Sequence, residues 1–234
     1  MKYLFSLLLA LLTMQAQAQF RDTFPEDHPE VFQRKMRLGI TFHQTWTTII
    51  AGNAPFDYFA KPSLGGGVEF HYFFSKNWGL GLAFHYQQRG AGIITPDFVA
   101  ELGNADSTYR HRLRMNCFDL PIKLQWRANK GFAKGTRWSG SVGISPIFTP
   151  STKSVFHSIE DGFHLEENWS KDFNKFDLAA QLSFGIDANA AESALLQVQL
   201  YATLGFLNPY NKTGLYSNAT GLNLMLGIKL ATLF

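Results

Sequence analysis

From residue 36 onward the chain repeatedly sets apolar residues at every second position. The last stretch shows this most clearly. Leu222, Leu224, Leu226, Ile228, Leu230 and Phe234 share one parity, and Asn223, Gly227, Lys229 and Ala231 the other. A helix would scatter the leucines around its circumference, whereas a strand aligns them on one face. The same period runs through 36–42, 64–74, 78–86, 118–126, 138–148, 176–186 and 196–206, so eight strands are predicted. The stretches between them alternate in length. Residues 47–61, 90–112, 149–172 and 208–219 form long connections, and 75–77, 128–136 and 188–193 shorter ones.

Long connections at one end and short ones at the other are the pattern of a barrel that crosses an outer membrane. A strand of about ten residues, rising about 3.3 Å each and tilted near 45°, covers about 23 Å, close to the apolar band such barrels present to lipid. Volume decides which face points inward. The apolar faces of the eight strands carry 39 large apolar residues, while the packed interior of an eight-stranded parallel barrel holds about twelve side chains. They must face outward. The opposite parity carries glycine, alanine and serine interspersed with Glu69, Asp119, Lys123, Asp177, Gln181, Gln197, Gln199 and Lys229, which suits a narrow polar bore. The fold class expected is all-β: an eight-stranded, antiparallel, up-and-down transmembrane β-barrel. Closure is required because a sheet edge in hydrocarbon would leave backbone groups unpaired at several kcal/mol each. Trp78, Tyr86, Trp126 and Trp138, near strand ends, are expected to sit at headgroup level.

The amino terminus reads as an address. Lys2 gives a positive region, residues 4–12 an apolar core broken only by Ser6, and Ala16-Gln17-Ala18 a small-x-small cleavage pattern, so residues 1–18 are expected to be removed. Residues 19–33, with Pro25 and Pro29, read as a short periplasmic lead-in to a barrel spanning 34–234. Cys117 is the single cysteine, so neither a disulfide nor a lipid anchor at the new terminus is available. Without Lys2 the charge balance is 20 basic against 18 acidic residues, too even to imply nucleic acid. Beyond Leu12 no stretch of eighteen uninterrupted apolar residues could form a membrane helix.

Several of these strands carry a resemblance. Trp78-Gly79-Leu80-Gly81-Leu82 after a tight turn, Phe118-Asp119-Leu120-Pro121, Phe176-Asp177-Leu178 leading to Gly185, and terminal Phe234 together resemble the PorT-like outer-membrane β-barrel family, across essentially the whole mature chain. The resemblance implies an outer-membrane location, contact with outer-membrane lipid, and an association of founding members with secretion and gliding machinery. Phe234 on the lipid-facing register is similar to the signal read by the barrel-assembly machinery. Pro121 within a strand removes one ladder hydrogen bond and predicts a local irregularity.

Arg37, Glu69, Arg89, Asp119, Lys123, Asp177 and Lys229 should share the bore, and charges held away from bulk water must pair or be solvated. A structural ion-pair network is therefore expected, with no catalytic residue, no cofactor and no metal. His43, His71, His85 and Ser145 are also inward, so a lipid-modifying Ser-His-acid enzyme can be drawn, but no nucleophile elbow accompanies them. His157, Glu160, Asp161, His164, Glu166 and Glu167 crowd the third long connection without a metal-ligand spacing. Asp106-Ser107-Thr108 and the sequons at Asn168, Asn211 and Asn218 add nothing specific. A soluble exported barrel enclosing an apolar ligand is the remaining alternative; it requires apolar residues inside.

Overall fold

The computed structural model describes residues 32–52, 57–94, 109–158, 164–190, 194–212 and 218–234. The strands are β1 (Met36–Ala51), β2 (Asp57–Phe59), β3 (Lys61–Phe73), β4 (Trp78–Arg89), β5 (Gly92–Ile94), β6 (Tyr109–Asp119), β7 (Ile122–Arg127), β8 (Thr136–Ser158), β9 (His164–Asn168), β10 (Phe176–Asn189), β11 (Leu195–Gly205) and β12 (Gly221–Leu233). β6 and β7 form one stave interrupted at Leu120 and Pro121, and β2, β5 and β9 are short strands beyond the ring. Eight staves remain, each antiparallel to its neighbours, and β1 closes the ring by pairing with both β12 and β3. The protein is an eight-stranded antiparallel barrel. The expected signal segment, 1–18, and most of the expected lead-in, 19–33, fall outside the described residues.

The apolar parity faces outward. Leu38, Ile40 and Leu200 are 62%, 66% and 65% exposed, whereas Glu69 and His71 on the other parity are fully buried. Trp78 pairs with Trp126 across β4 and β7 at the short-turn end, where Trp138 stacks on Phe184. Tyr86 lies toward the long connections and donates its hydroxyl to Asn116 Oδ1 at 3.0 Å. The irregularity at Pro121 is present. Leu120 N–H reaches Pro146 O, Pro121 O accepts from Ala83 N–H, and the β6–β8 register slips between Asn116 and Phe118.

The strands run further than their apolar alternation. Residues 47–51, 109–112 and 149–158, read above as connection, continue β1, β6 and β8, and β8 reaches 23 residues. In these extensions the polarity is inverted. Arg112 and Lys153 are exposed, while Ile49, Ile93, Leu113, Met115 and Cys117 are buried inside, where Trp169, Phe173 and Tyr210 from the long connections join them. A strand wall in water buries its apolar side; the same wall in lipid exposes it. The alternation that reveals a lipid-facing strand therefore fades above the bilayer, although the backbone ladder continues. At the short-turn end Phe32 packs with Leu195, Ala231 and Leu233, so the last residues of the lead-in belong to the barrel's packing.

Candidate functional site: the charged bore

Glu69 on β3 is the hub. His71 Nε2 donates to its Oε2 at 2.8 Å, Lys123 Nζ from β7 to its Oε1 at 3.1 Å, and Lys229 Nζ from β12 to both oxygens at 3.2 Å. His85 Nε2 on β4 lies 3.2 Å from Oε1. Strand alternation places these groups, because each sits on the inward parity of its stave. Gly67 and Gly81 on the same staves leave the space they occupy: a Cβ on Gly67 would meet the Phe84 carbonyl and the His85 backbone, and one on Gly81 the Gln125 amide.

Two further layers flank the hub. Toward the short turns, Arg127 Nε donates to Asp187 Oδ2 at 2.7 Å, and Asp187 Oδ1 accepts from Ser139 Oγ and Gln197 Nε2 at 2.7 and 2.8 Å. The Arg127 guanidinium also lies 4.1 Å from the Phe73 ring centre. Toward the long connections, Arg89 donates to Asp119 at 2.6 Å. Asp177 is held by neutral groups, the Asn223 amide at 3.0 Å and the Leu207 backbone N–H at 3.2 Å, rather than by a cation. Arg37 is buried on the inward face opposite His71 in the β1–β3 register. The sequence reading missed Arg127 and Asp187, each one residue past the strand ends it assigned, and Lys61, whose ammonium donates to the Arg89 and Leu113 carbonyls.

Three groups gather that the sequence left apart. Ligand atoms of His43, Glu69 and His85 lie within 4.8 Å of one another, close enough to surround a cation. Lys123 and Lys229 already occupy the Glu69 carboxylate, so a metal there would face two ammonium groups across a few ångströms. The arrangement is an ion-pair hub. His43 instead shares a hydrogen bond with Tyr201 Oη at 3.0 Å. Ser145 is buried, but its hydroxyl makes no hydrogen bond among the described residues, so no Ser-His pair forms there among them. In the third connection His157 and His164 face each other across the β8–β9 hairpin, and the only metal-ligand cluster among the described residues is the one at Glu69. Glu166 pairs with Lys153 at 2.9 Å, and that hydrogen bond holds its carboxyl below the ordinary carboxylate range. Glu160, Asp161 and Asp106-Ser107-Thr108 lie outside the described residues.

A family model described as the outer membrane protein beta-barrel domain matches residues 15–210. No curated protein sequence matches the chain. Among solved structures, it is similar to OprG of Pseudomonas aeruginosa at 16% identity, covering 85% of this chain and 94% of that one with a TM-score of 0.42. Neisserial surface protein A aligns at 4% identity, covering 85% and 96%, with a TM-score of 0.45. The attachment invasion locus protein of Yersinia pestis aligns at 11% identity, covering 85% and 99%, with a TM-score of 0.35.

Proposed function

The chain belongs to the outer membrane protein β-barrel domain family, and on that footing we propose that it is a barrel acting by structure or interaction in the outer membrane, accessory to envelope or secretion machinery, and not by chemistry. The observation that carries this reading is how the bore is occupied. Glu69, Asp119 and Asp187 pair with cations in layers along it, and an apolar cluster that includes Trp169, Phe173 and Tyr210 packs toward the long connections. A rigid filled scaffold leaves the long connections as the recognition surface. In this reading residues 1–18 are cleaved on export, the long connections face outside, and Phe234 is presented to the barrel-assembly machinery. The soluble-barrel alternative fits poorly, because the leucines and phenylalanines face away from the bore.

The test is envelope fractionation combined with protease treatment of intact cells. Expected are recovery with outer membranes, a mature amino terminus at Gln19, heat-modifiable migration on a gel, and cleavage confined to the long connections. Extraction without detergent, or protection of every long connection in intact cells, would overturn it.

A further inference from the structure

On the outward face where β4, β6, β8 and β10 meet, an apolar groove and a basic row lie one above the other. The groove, about 320 Å³, is lined by Phe84, Phe118, Leu120, Pro146, Phe148 and Phe176. It sits where Pro121 and Pro146 remove two N–H donors and the β6–β8 register slips. Directly above, Tyr86 donates to Asn116, and Asn116 donates to Ser151 Oγ at 3.0 Å, which marks the polar boundary of the membrane band. Beyond that boundary, Arg114 and Lys153 stand opposite each other in the register, with Arg112 two residues further out. Like charges directly opposed in a ladder repel. Lys153 is partly offset by Glu166, but no ion pair to a carboxylate forms at Arg114 among the described residues.

We propose that this face binds one phosphate-bearing, acylated lipid of the outer leaflet, an acyl chain lying in the groove and the phosphate seated between Arg114 and Lys153. The spacing suits such an amphiphile. Arg114 lies four residues above Phe118, about 14 Å along the strand at about 3.4 Å per residue, and a phosphate would turn the Arg114–Lys153 repulsion into two charge-assisted contacts. The same outward face then contacts one molecule through both its apolar and its anionic parts. The assignment rests on the long connections facing outside, since only then does the groove lie in the outer leaflet.

The experiment uses the full mature chain refolded in a neutral detergent, where orientation plays no part. Binding is followed by native mass spectrometry with diphosphorylated lipid A, its dephosphorylated form, and inorganic phosphate. Expected are a lipid adduct of one-to-one stoichiometry and a loss of at least about tenfold in affinity either for the dephosphorylated lipid or in the Arg114→Gln/Lys153→Gln variant. That variant should keep wild-type heat-modifiability, because both side chains are surface groups. Phe148→Ala should weaken the lipid adduct while leaving any phosphate adduct unchanged. Equal binding of the two lipid forms, or an unaffected double variant, would overturn the proposal. Inorganic phosphate binding as tightly as the lipid would show an anion site without a lipid. Failure here with external loop cleavage in cells would remove the lipid site alone; lipid binding in detergent with protected loops would remove the orientation and place the groove in the inner leaflet.

Discussion

At the scale of residues, Glu69 carries the largest electrostatic consequence. Its carboxylate answers two buried ammonium groups, so Glu69→Ala would strand Lys123 and Lys229 without a counter-charge. Removing one partner of a buried pair costs about 3–5 kcal/mol, whereas replacing the whole set with apolar residues of similar volume is often neutral. Glu69→Ala should therefore unfold at lower denaturant in detergent micelles, and adding Lys123→Met and Lys229→Met should recover most of the loss. Denaturant titration followed by gel migration checks both, and a triple variant as weak as Glu69→Ala would show that the pairing is not what matters. The inward charges were legible from parity alone, because alternation fixes which side of a strand each residue occupies. Their partners were not. Arg127 and Asp187 lay one residue beyond the assigned strand ends, and no period in one strand reveals which stave stands across the bore. Likewise, only the register between the neighbouring staves β1, β3 and β4 brings His43 and His85 to Glu69.

At the scale of elements, each stave is a ladder whose two faces answer to different solvents at different heights. Within the bilayer its outer face must be apolar, so Leu200→Arg on β11, 65% exposed near mid-height, should cost about 2–4 kcal/mol. In the extension of β6 the demand reverses, and Leu113→Asp should destabilise because Leu113 is fully buried in the apolar cluster. Refolding yields into lipid vesicles read both, and a neutral Leu200→Arg would mean that this face does not meet hydrocarbon. This reversal explains which strand lengths could be read from sequence. The lipid-facing segments were evident, while residues 109–112 and 149–158 looked like loop because their outward positions, such as Arg112 and Lys153, are polar. The inner face sets a separate limit. Gly67→Val should prevent folding, because the added carbons would press on the Phe84 carbonyl and His85, whereas Gly140→Ala on the outward face, whose nearest neighbour is 3.1 Å away, should fold.

At the scale of the whole molecule, three groups of side chains lie in series along the bore. Phe32, Leu195, Ala231 and Leu233 pack at the short-turn end, the ion-paired layers lie in the middle, and the apolar cluster around Leu113, Met115 and Ile147 packs toward the other end. Eight staves enclose an interior about wide enough for side chains, so the barrel should insert into planar bilayers without steady conductance. The obstructions are in series, and that shapes the mutants. Weakening the outer cluster with Trp169→Ala and Tyr210→Ala should leave the membrane silent, because the layers around Glu69 and Asp187 still block the path. Replacing Glu69, Lys123 and Lys229 with alanine should also stay silent, since both apolar closures persist. Only variants that combine these changes with Phe32→Ala and with alanine at the Arg127–Asp187 and Arg89–Asp119 pairs should admit small ions, provided that gel migration shows the barrel intact. Steady conductance in the wild-type protein, or in either partial variant, would mean that the layers part readily, and the barrel would then be a channel with a gate rather than a filled scaffold displaying its connections.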